Sequence, residues 1–302
     1  MRALVNLKYV DEIARAGSIR RAAESLSITP SALNRRLIAI EDELNVQIFD
    51  RLPRGVRLNA AGEILIHHIR AQISDFERVQ SQIADLSGVR RGQVAIACSQ
   101  ALLPFFLPHQ IDKYRTEYPM VQFCVLPRDR AAAEVALSDF SADLALVFEP
   151  ISMSDFQAII SVRQTICAVM DGDHPLASKD VLRLRDCLQY PLALLTKPYG
   201  VRLLFDKALA RLNQPVASAV ESDSCEFLRM AIAGSELITF QIDVGLAAND
   251  ESGPLVSRSI APSDIASGVL HLGHLRGRVL SVAAAKFANQ LAQALSDRYD
   301  LA

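Results

Sequence analysis

Residues 16–37 read AGSIRRAAESLSITPSALNRRL, and the punctuation of this stretch decides the first part of the fold. Gly17 suits the left-handed end of one helix and Ser18 the N-cap of the next. Ile19, Ala22, Ala23 and Leu26 then recur at helical spacing over a short second helix. Ser27-Ile28 leads tightly into Thr29, a good N-cap, and Pro30, a good first helical residue. From Pro30 the positions Ala32, Leu33, Leu37, Ile40 and Leu44 predict a third helix. Upstream, Leu4, Leu7, Val10, Ile13 and Ala14 predict a first one. Downstream, residues 46–49 and 56–58 are short extended pieces flanking the basic, turn-rich loop Arg51-Leu52-Pro53-Arg54-Gly55. Three short-looped helices followed by a small hairpin predict a winged helix-turn-helix.

Asn59 can cap a long helix over about residues 60–86. Ile69, Phe76 and Ile83 are seven apart, as are Val79 and Leu86, with Gln72 interrupting the second series. This short seam predicts a helix that pairs with a second copy of itself or with a core. Ser87-Gly88-Val89-Arg90-Arg91-Gly92 reads as a hinge. Beyond it strands and helices alternate. Strands are expected at residues 93–98, 121–126, 143–148, 162–170, 192–195, 237–241 and 279–284. Helices are expected at 103–117, 130–140, 201–212, 223–233 and 285–299. That alternation predicts an α/β domain with mostly parallel sheets, whose ligands bind outside the strand C-termini.

The chain has 302 residues, half of them hydrophobic, and a formal charge of −2, so it is neither a polyelectrolyte nor a uniformly basic coat for nucleic acid. The charge is uneven. Residues 1–60 hold ten Lys+Arg against seven Asp+Glu, a net of +3, which leaves −5 for the remainder. No apolar run reaches membrane-spanning length, and residues 1–10 lack a signal-peptide core, which predicts a cytoplasmic protein with no membrane partner. Cys98, Cys124, Cys167, Cys187 and Cys225 form no CxxC pair, as expected of reduced core thiols. His67-His68, His271 and His274 lack the partners of a metal site, and nothing calls for a cofactor.

The train Ala16-Gly17-Ser18 through Glu24-Ser25-Leu26, Thr29-Pro30-Ser31-Ala32-Leu33-Asn34-Arg35-Arg36-Leu37, Glu41-Asp42-Glu43-Leu44, Ile48-Phe49-Asp50-Arg51 and Arg57-Leu58-Asn59-Ala60-Ala61-Gly62 resembles the LysR-type transcriptional regulators. Leu103-Pro104, Tyr118-Pro119, Asp143-Leu144-Ala145 and His174-Pro175-Leu176 extend the likeness in looser outline. The resemblance implies a winged helix-turn-helix at 1–60 and a linker and dimerisation helix with hinge at 61–89. It further implies a two-lobed effector-binding domain at 90–302, α/β and like a periplasmic binding protein. Lobe I would take about 90–160 and 266–302, and lobe II about 161–265. The partners it implies are double-stranded promoter DNA, a small-molecule effector, a second copy through residues 60–86 (homodimer or homotetramer), and RNA polymerase. Asn34 stands where the family usually has Ser, and Asn45 where it usually has Gly.

The N-terminal end of such a third helix enters the major groove. Asn34 and Arg35 are the candidates for base edges, since Asn reads adenine and Arg reads guanine bidentately. Thr29 and Ser31 at the helix start suit phosphate, with Pro30 between them at the DNA-facing end and Arg36 beside them. Arg54 and Arg57 suit the wing, whereas Arg51 is expected in a structural salt bridge. For the effector, Ser99 and Gln100 are donors on the loop before the helix at 103–117, whose N–H groups would face an anion. Arg128 would pair a carboxylate or sulfate. Thr196 ends a strand in lobe II, and Phe148 and Tyr199 supply an apolar wall. A small organic anion is the expected ligand.

Two other readings compete. Cys98 and Cys225 could make the same architecture a thiol redox sensor, because a helix start can lower a thiol pKa. An enzyme would want a placed nucleophile, yet GxSxG, HExxH and a Gly-rich phosphate loop are all missing. A solute receptor for transport fits neither the missing signal nor the fused DNA module.

Overall fold

A computed structural model describes residues 2–86, 91–149, 154–212, 216–246 and 254–302, without the side chains of 2–4 and 84–86. The side-chain expectations for Leu4 and Leu86, and the hinge residues 87–90, lie outside the described residues. The chain forms two compact units, Met1–Ile83 and Ala84–Ala302.

In the first unit α1 (Arg2–Ala16), α2 (Ile19–Ser25) and α3 (Pro30–Leu44) precede the hairpin β1 (Phe49–Leu52) and β2 (Gly55–Leu58), and α4 (Ala60–Leu86) follows. The expected caps are in place. Gly17 has φ +60°, the Ser18 side chain accepts from the Arg21 N–H, and the Thr29 side chain accepts from the Ala32 N–H ahead of Pro30. Asn45 ends α3 in the left-handed conformation (φ 52°, ψ 35°), and Asn59 Oδ1 accepts from the Gly62 N–H at 2.9 Å. Val10, Ile13, Ala22, Ala23, Leu33, Leu37, Ile48 and Phe49 form the core with Ile66 and Ile69 of α4. Ile69 therefore packs inside its own unit, the core alternative of the two partners its spacing allowed. The start of α4 closes this small core, and only its later positions are left for a partner. Arg70 Nε reaches Asp11 Oδ1 at 2.7 Å and fixes α4 to α1.

In lobe I of the second unit, β3 (Gly92–Cys98) leads through the 3-10 turn Gln100–Leu102 to α5 (Phe106–Glu117). β4 (Val121–Pro127), α6 (Arg130–Ser138), β5 (Leu144–Phe148) and β6 (Phe156–Gln164) follow. Lobe II holds β7 (Ile166–Asp171), β8 (Val181–Leu182), α7 (Leu184–Cys187), β9 (Ala193–Leu195), α8 (Gly200–Leu212), β10 (Val220–Ser222), α9 (Cys225–Ile232), β11 (Thr239–Ile242), the 3-10 turn Asp243–Gly245 and β12 (Leu255–Ile260). The chain returns to lobe I in β13 (Gly268–Leu275) and closes with α10 (Val282–Ser296). The lobe I sheet is ordered β4-β3-β5-β13-β6, and lobe II holds β11-β7-β12-β8 and the pair β10-β9.

Four expectations change. The sheets are mixed rather than mostly parallel. β3 is parallel to β4 and β5, whereas β13 runs antiparallel to β5 and β6, because the two strands at the lobe crossings enter and leave in opposite directions. The strand expected at 162–170 is two strands in two sheets, broken at Thr165; β6 stays in lobe I through Gln164. No strand forms at 279–284, where Ser281 caps α10 by accepting from the Ala284 N–H and the alanine run favours helix. The helix expected from Leu103 starts at Phe106, after the 3-10 turn. No helix among the described residues is long and apolar enough to cross a membrane.

Candidate DNA interface and ligand cleft

On α3, Ser31, Asn34 and Arg35 stand at i, i+3 and i+4 and so share one face of the first two turns. Ser31 and Arg35 are exposed and Asn34 is half-buried. Thr29 Oγ1 lies 3.3 Å from Ser31 Oγ and also caps the Ala32 N–H, so the helix start presents two hydroxyls. Arg36 is exposed and its guanidinium stacks 4.9 Å over the Tyr9 ring, which fixes its direction. The hairpin pairs Phe49 with Leu58 and Leu52 with Gly55, leaving Pro53-Arg54 as the exposed wing tip. Among the described residues Arg51 has no salt-bridge partner, against expectation. Its Nη2 donates to Asn34 Oδ1 at 3.4 Å, joining wing to recognition helix, and it is Arg57 that stands 3.7 Å from an acid, Asp50. The reason is register: Asp50 lies directly opposite Arg57 across the hairpin, whereas Arg51 points to α3. Glu41 Oε1 accepts from the Ile48 N–H at 2.8 Å and holds the hairpin against α3.

Between the lobes lies an open cleft, at the kind of position where α/β proteins take small molecules. Ser99, Arg128, Phe148 and Tyr199 of the sequence-based set line it. Phe148 is buried between two glycines: a Cβ at Gly200 would come within 2.8 Å of its ring, and one at Gly268 within 2.2 Å. Arg128 is exposed at the mouth, with Nη1 donating to the Pro127 carbonyl at 3.0 Å. Gln100 stands at the edge and bonds to two lining residues, Tyr199 and Cys225. Thr196 does not line the cleft; its N–H donates to the Ser222 carbonyl at 3.0 Å and ties β9 to β10. The Ser99 N–H donates to Leu146 O at 3.0 Å and is not turned to an anion, since the 3-10 turn replaces the helix start expected there.

Four further polar residues of the lining escaped the sequence reading: Asp129, Arg130, Glu149 and Gln241. Glu149 directly follows β5, and Asp129 and Arg130 lie two and three residues past the end of β4, so the strand-end rule that picked out Arg128 could have found them. Glu149 has φ +67°; its N–H donates to Val269 O at 2.8 Å and its carboxylate accepts from the Val269 N–H at 2.9 Å. The lining thus carries two cations and two acids. Burial raises the Tyr199 phenol, with Asp223, Cys225 and Asp129 adding to it.

The thiols do not suit redox sensing. Burial pushes Cys98, Cys167 and Cys187 up to about 12 and Cys225 up to about 11, although Cys225 opens α9. Desolvation of the thiolate outweighs the helix end at this position.

Two family models match the chain. "Bacterial regulatory helix-turn-helix protein, lysR family" covers residues 4–63, and "LysR substrate binding domain" covers residues 87–296. The uncharacterized HTH-type transcriptional regulator YbhD of Escherichia coli is 28% identical over 207 residues, 68% of this chain and 65% of that protein. A probable RuBisCO transcriptional regulator of Trichormus variabilis is 26% identical over 283 residues, 92% of this chain and 80% of that protein. The structure of a full-length OxyR point variant from Pseudomonas aeruginosa shares the fold, with a TM-score of 0.67 and 20% identity over 97% of this chain and 94% of that one. The chain belongs to the LysR family of transcriptional regulators.

Proposed function

We propose that this chain is a promoter-binding transcriptional regulator, and not an enzyme, that acts in the cytoplasm as a homodimer or homotetramer. Residues 1–60 bind DNA, 61–89 link and pair the protomers, and 90–302 hold the effector. In this reading Asn34 and Arg35 read base edges, Thr29 and Ser31 hold phosphate with Pro30 between them and Arg36 beside them, and Arg54 and Arg57 contact the backbone at the wing. The observation that carries it is the polar Ser31-Asn34-Arg35 face of α3, with Ser31 and Arg35 exposed, joined by Arg51 to a basic wing. The ligand is a small molecule whose anionic group faces Arg128 at the cleft mouth.

The test is selection of bound duplexes from a random DNA pool by the full-length protein. Two similar half-sites about one helical turn apart, roughly 34–36 Å, are expected. Recovery of unrelated sequences with no shared half-site would overturn the proposal. A screen of carboxylates against the full chain by thermal shift tests the ligand arm, with Arg128→Ala expected to abolish the response.

A further inference from the structure

We propose that the Gln100 side chain occupies a polar subsite of the inter-lobe cleft that also takes a neutral carboxamide of an incoming ligand, so that ligand and Gln100 compete for it. The proposal rests on the reading of the cleft as the effector site and adds the chemistry of one of its subsites.

Gln100 belongs to lobe I, on the 3-10 turn after β3, and both its partners belong to lobe II. Its Nε2 donates to Tyr199 Oη at 3.0 Å, and its Oε1 accepts from the Cys225 N–H at 3.2 Å. Both ends of one planar amide are thereby bound by groups that line the cleft. The Cys225 N–H is the first of α9 and has no acceptor within its own helix. The Ser224 cap does not supply one, because its Oγ accepts from Phe227. A carbonyl oxygen from outside the helix must do so, and Gln100 is the side chain that does.

A second buried group points to the same chemistry. Gln241 lines the cleft, is 4% exposed, and among the described residues its Oε1 has no hydrogen-bond partner. An unpaired buried acceptor is costly and is relieved by an N–H donor. A carboxamide offers both halves, an oxygen for the Cys225 N–H and N–H donors for Tyr199 Oη or Gln241 Oε1. A carboxylate offers only acceptors and cannot supply the N–H donor that Gln241 Oε1 lacks. The subsite is therefore suited to a neutral amide, while an anionic group elsewhere on the ligand belongs at Arg128. Displacing Gln100 need not part the lobes, since Arg229 of α9 stacks 5.0 Å over the Phe105 ring of lobe I.

The experiment is hydrogen exchange by mass spectrometry on the full-length protein and on Gln100→Ala, with acetamide and acetate as probes at high millimolar concentration. In Gln100→Ala the amides at the start of α9 should exchange about fivefold faster or more, from the loss of one hydrogen bond. Acetamide should restore their protection in the variant and leave the wild type unchanged, and acetate should not. Tyr199→Phe, which keeps the ring, should reduce the acetamide effect and so separates a subsite from a folding defect. Unchanged exchange in Gln100→Ala, no restoration by acetamide, or equal restoration by acetate would each overturn the proposal. Promoter binding is read separately: loss of DNA recognition with intact acetamide rescue would refute the regulator reading and leave the subsite standing.

Discussion

Arg35 and Arg54 are both exposed cations of the N-terminal unit, but their positions give them different work. Arg35 sits one turn into α3, where a guanidinium can meet a guanine edge in the major groove; Arg54 sits at the wing tip, where phosphate is the nearer target. Arg35→Ala is expected to cost about 1–3 kcal/mol on the preferred site and far less on random duplex. Arg54→Ala should weaken both alike and lower the salt dependence of binding by about one phosphate contact. Fluorescence anisotropy on the two duplexes at several salt concentrations decides this, and equal losses for Arg35→Ala would reduce it to a phosphate contact. The thiols give a second residue-scale prediction. With folded pKa values raised to about 11–12, Cys98, Cys167, Cys187 and Cys225 stay protonated at neutral pH and gain thiolate only as pH rises toward those values. Alkylation by iodoacetamide at about pH 8 should therefore be slow at all four until the chain is denatured, and peroxide should leave DNA binding unchanged. Rapid native labelling of Cys225 would reinstate the redox reading.

At the scale of elements, the wing is held by backbone as well as by side chains. Val56 N–H donates to Gly17 O at 3.0 Å, and a Cβ on Gly55 (φ +137°) would come within 2.2 Å of that oxygen. Gly55→Ala combines backbone strain with a clash and should destabilise the N-terminal unit by about 1–3 kcal/mol. It should displace the wing and weaken DNA binding while the effector unit melts as before. An unchanged N-terminal transition in calorimetry would contradict this.

The pairing of Arg183 and the Leu184 N–H, at the start of α7, with Asp264 is a pH-sensitive contact of lobe II. Asp264 is held at about 2, chiefly by the Arg183 hydrogen bond, with burial opposing and the Leu184 N–H assisting. A carboxyl depressed on folding stabilises above its unfolded value of about 3.9, and that contribution is lost as pH falls toward 2. Asp264→Asn should lower the Tm near neutral pH and flatten its fall between about pH 4 and 2; an unaltered acid limb would assign that fall to other carboxylates.

Elements also mark what was legible in the sequence. Gly17, Ser18, Thr29, Pro30, Asn45 and Asn59 announced their helix ends because each acts within a few residues of itself. β13 stayed hidden because its run Gly268–Leu275 interleaves histidines with apolar residues, and its strand state comes from pairing on both sides with distant β5 and β6. The same distance hid the cleft. Gln100 and Cys225 are 125 residues apart, and only the meeting of two lobes makes them partners.

On the scale of the whole molecule, the remaining work falls to the far half of α4. Its 27 residues extend about 40 Å at 1.5 Å per residue. Ile66 and Ile69 are spent in the N-terminal core, so Phe76, Val79 and Ile83 are what is left for pairing. These stand three and four apart, the spacing of a coiled-coil seam, and Val79 and Ile83 are 40% and 60% exposed. A single recognition helix reads a few base pairs; tethering two makes the second contact intramolecular and can raise affinity by about 10²–10⁴. Ile83→Asp puts a charge into the seam without touching the buried core. It should shift the protein toward monomer in light scattering and remove most of the affinity for a two-half-site duplex. Affinity for an isolated half-site should stay as it was. A variant that remains oligomeric and binds the full site normally would place the pairing surface elsewhere and return Val79 and Ile83 to plain exposed apolar residues.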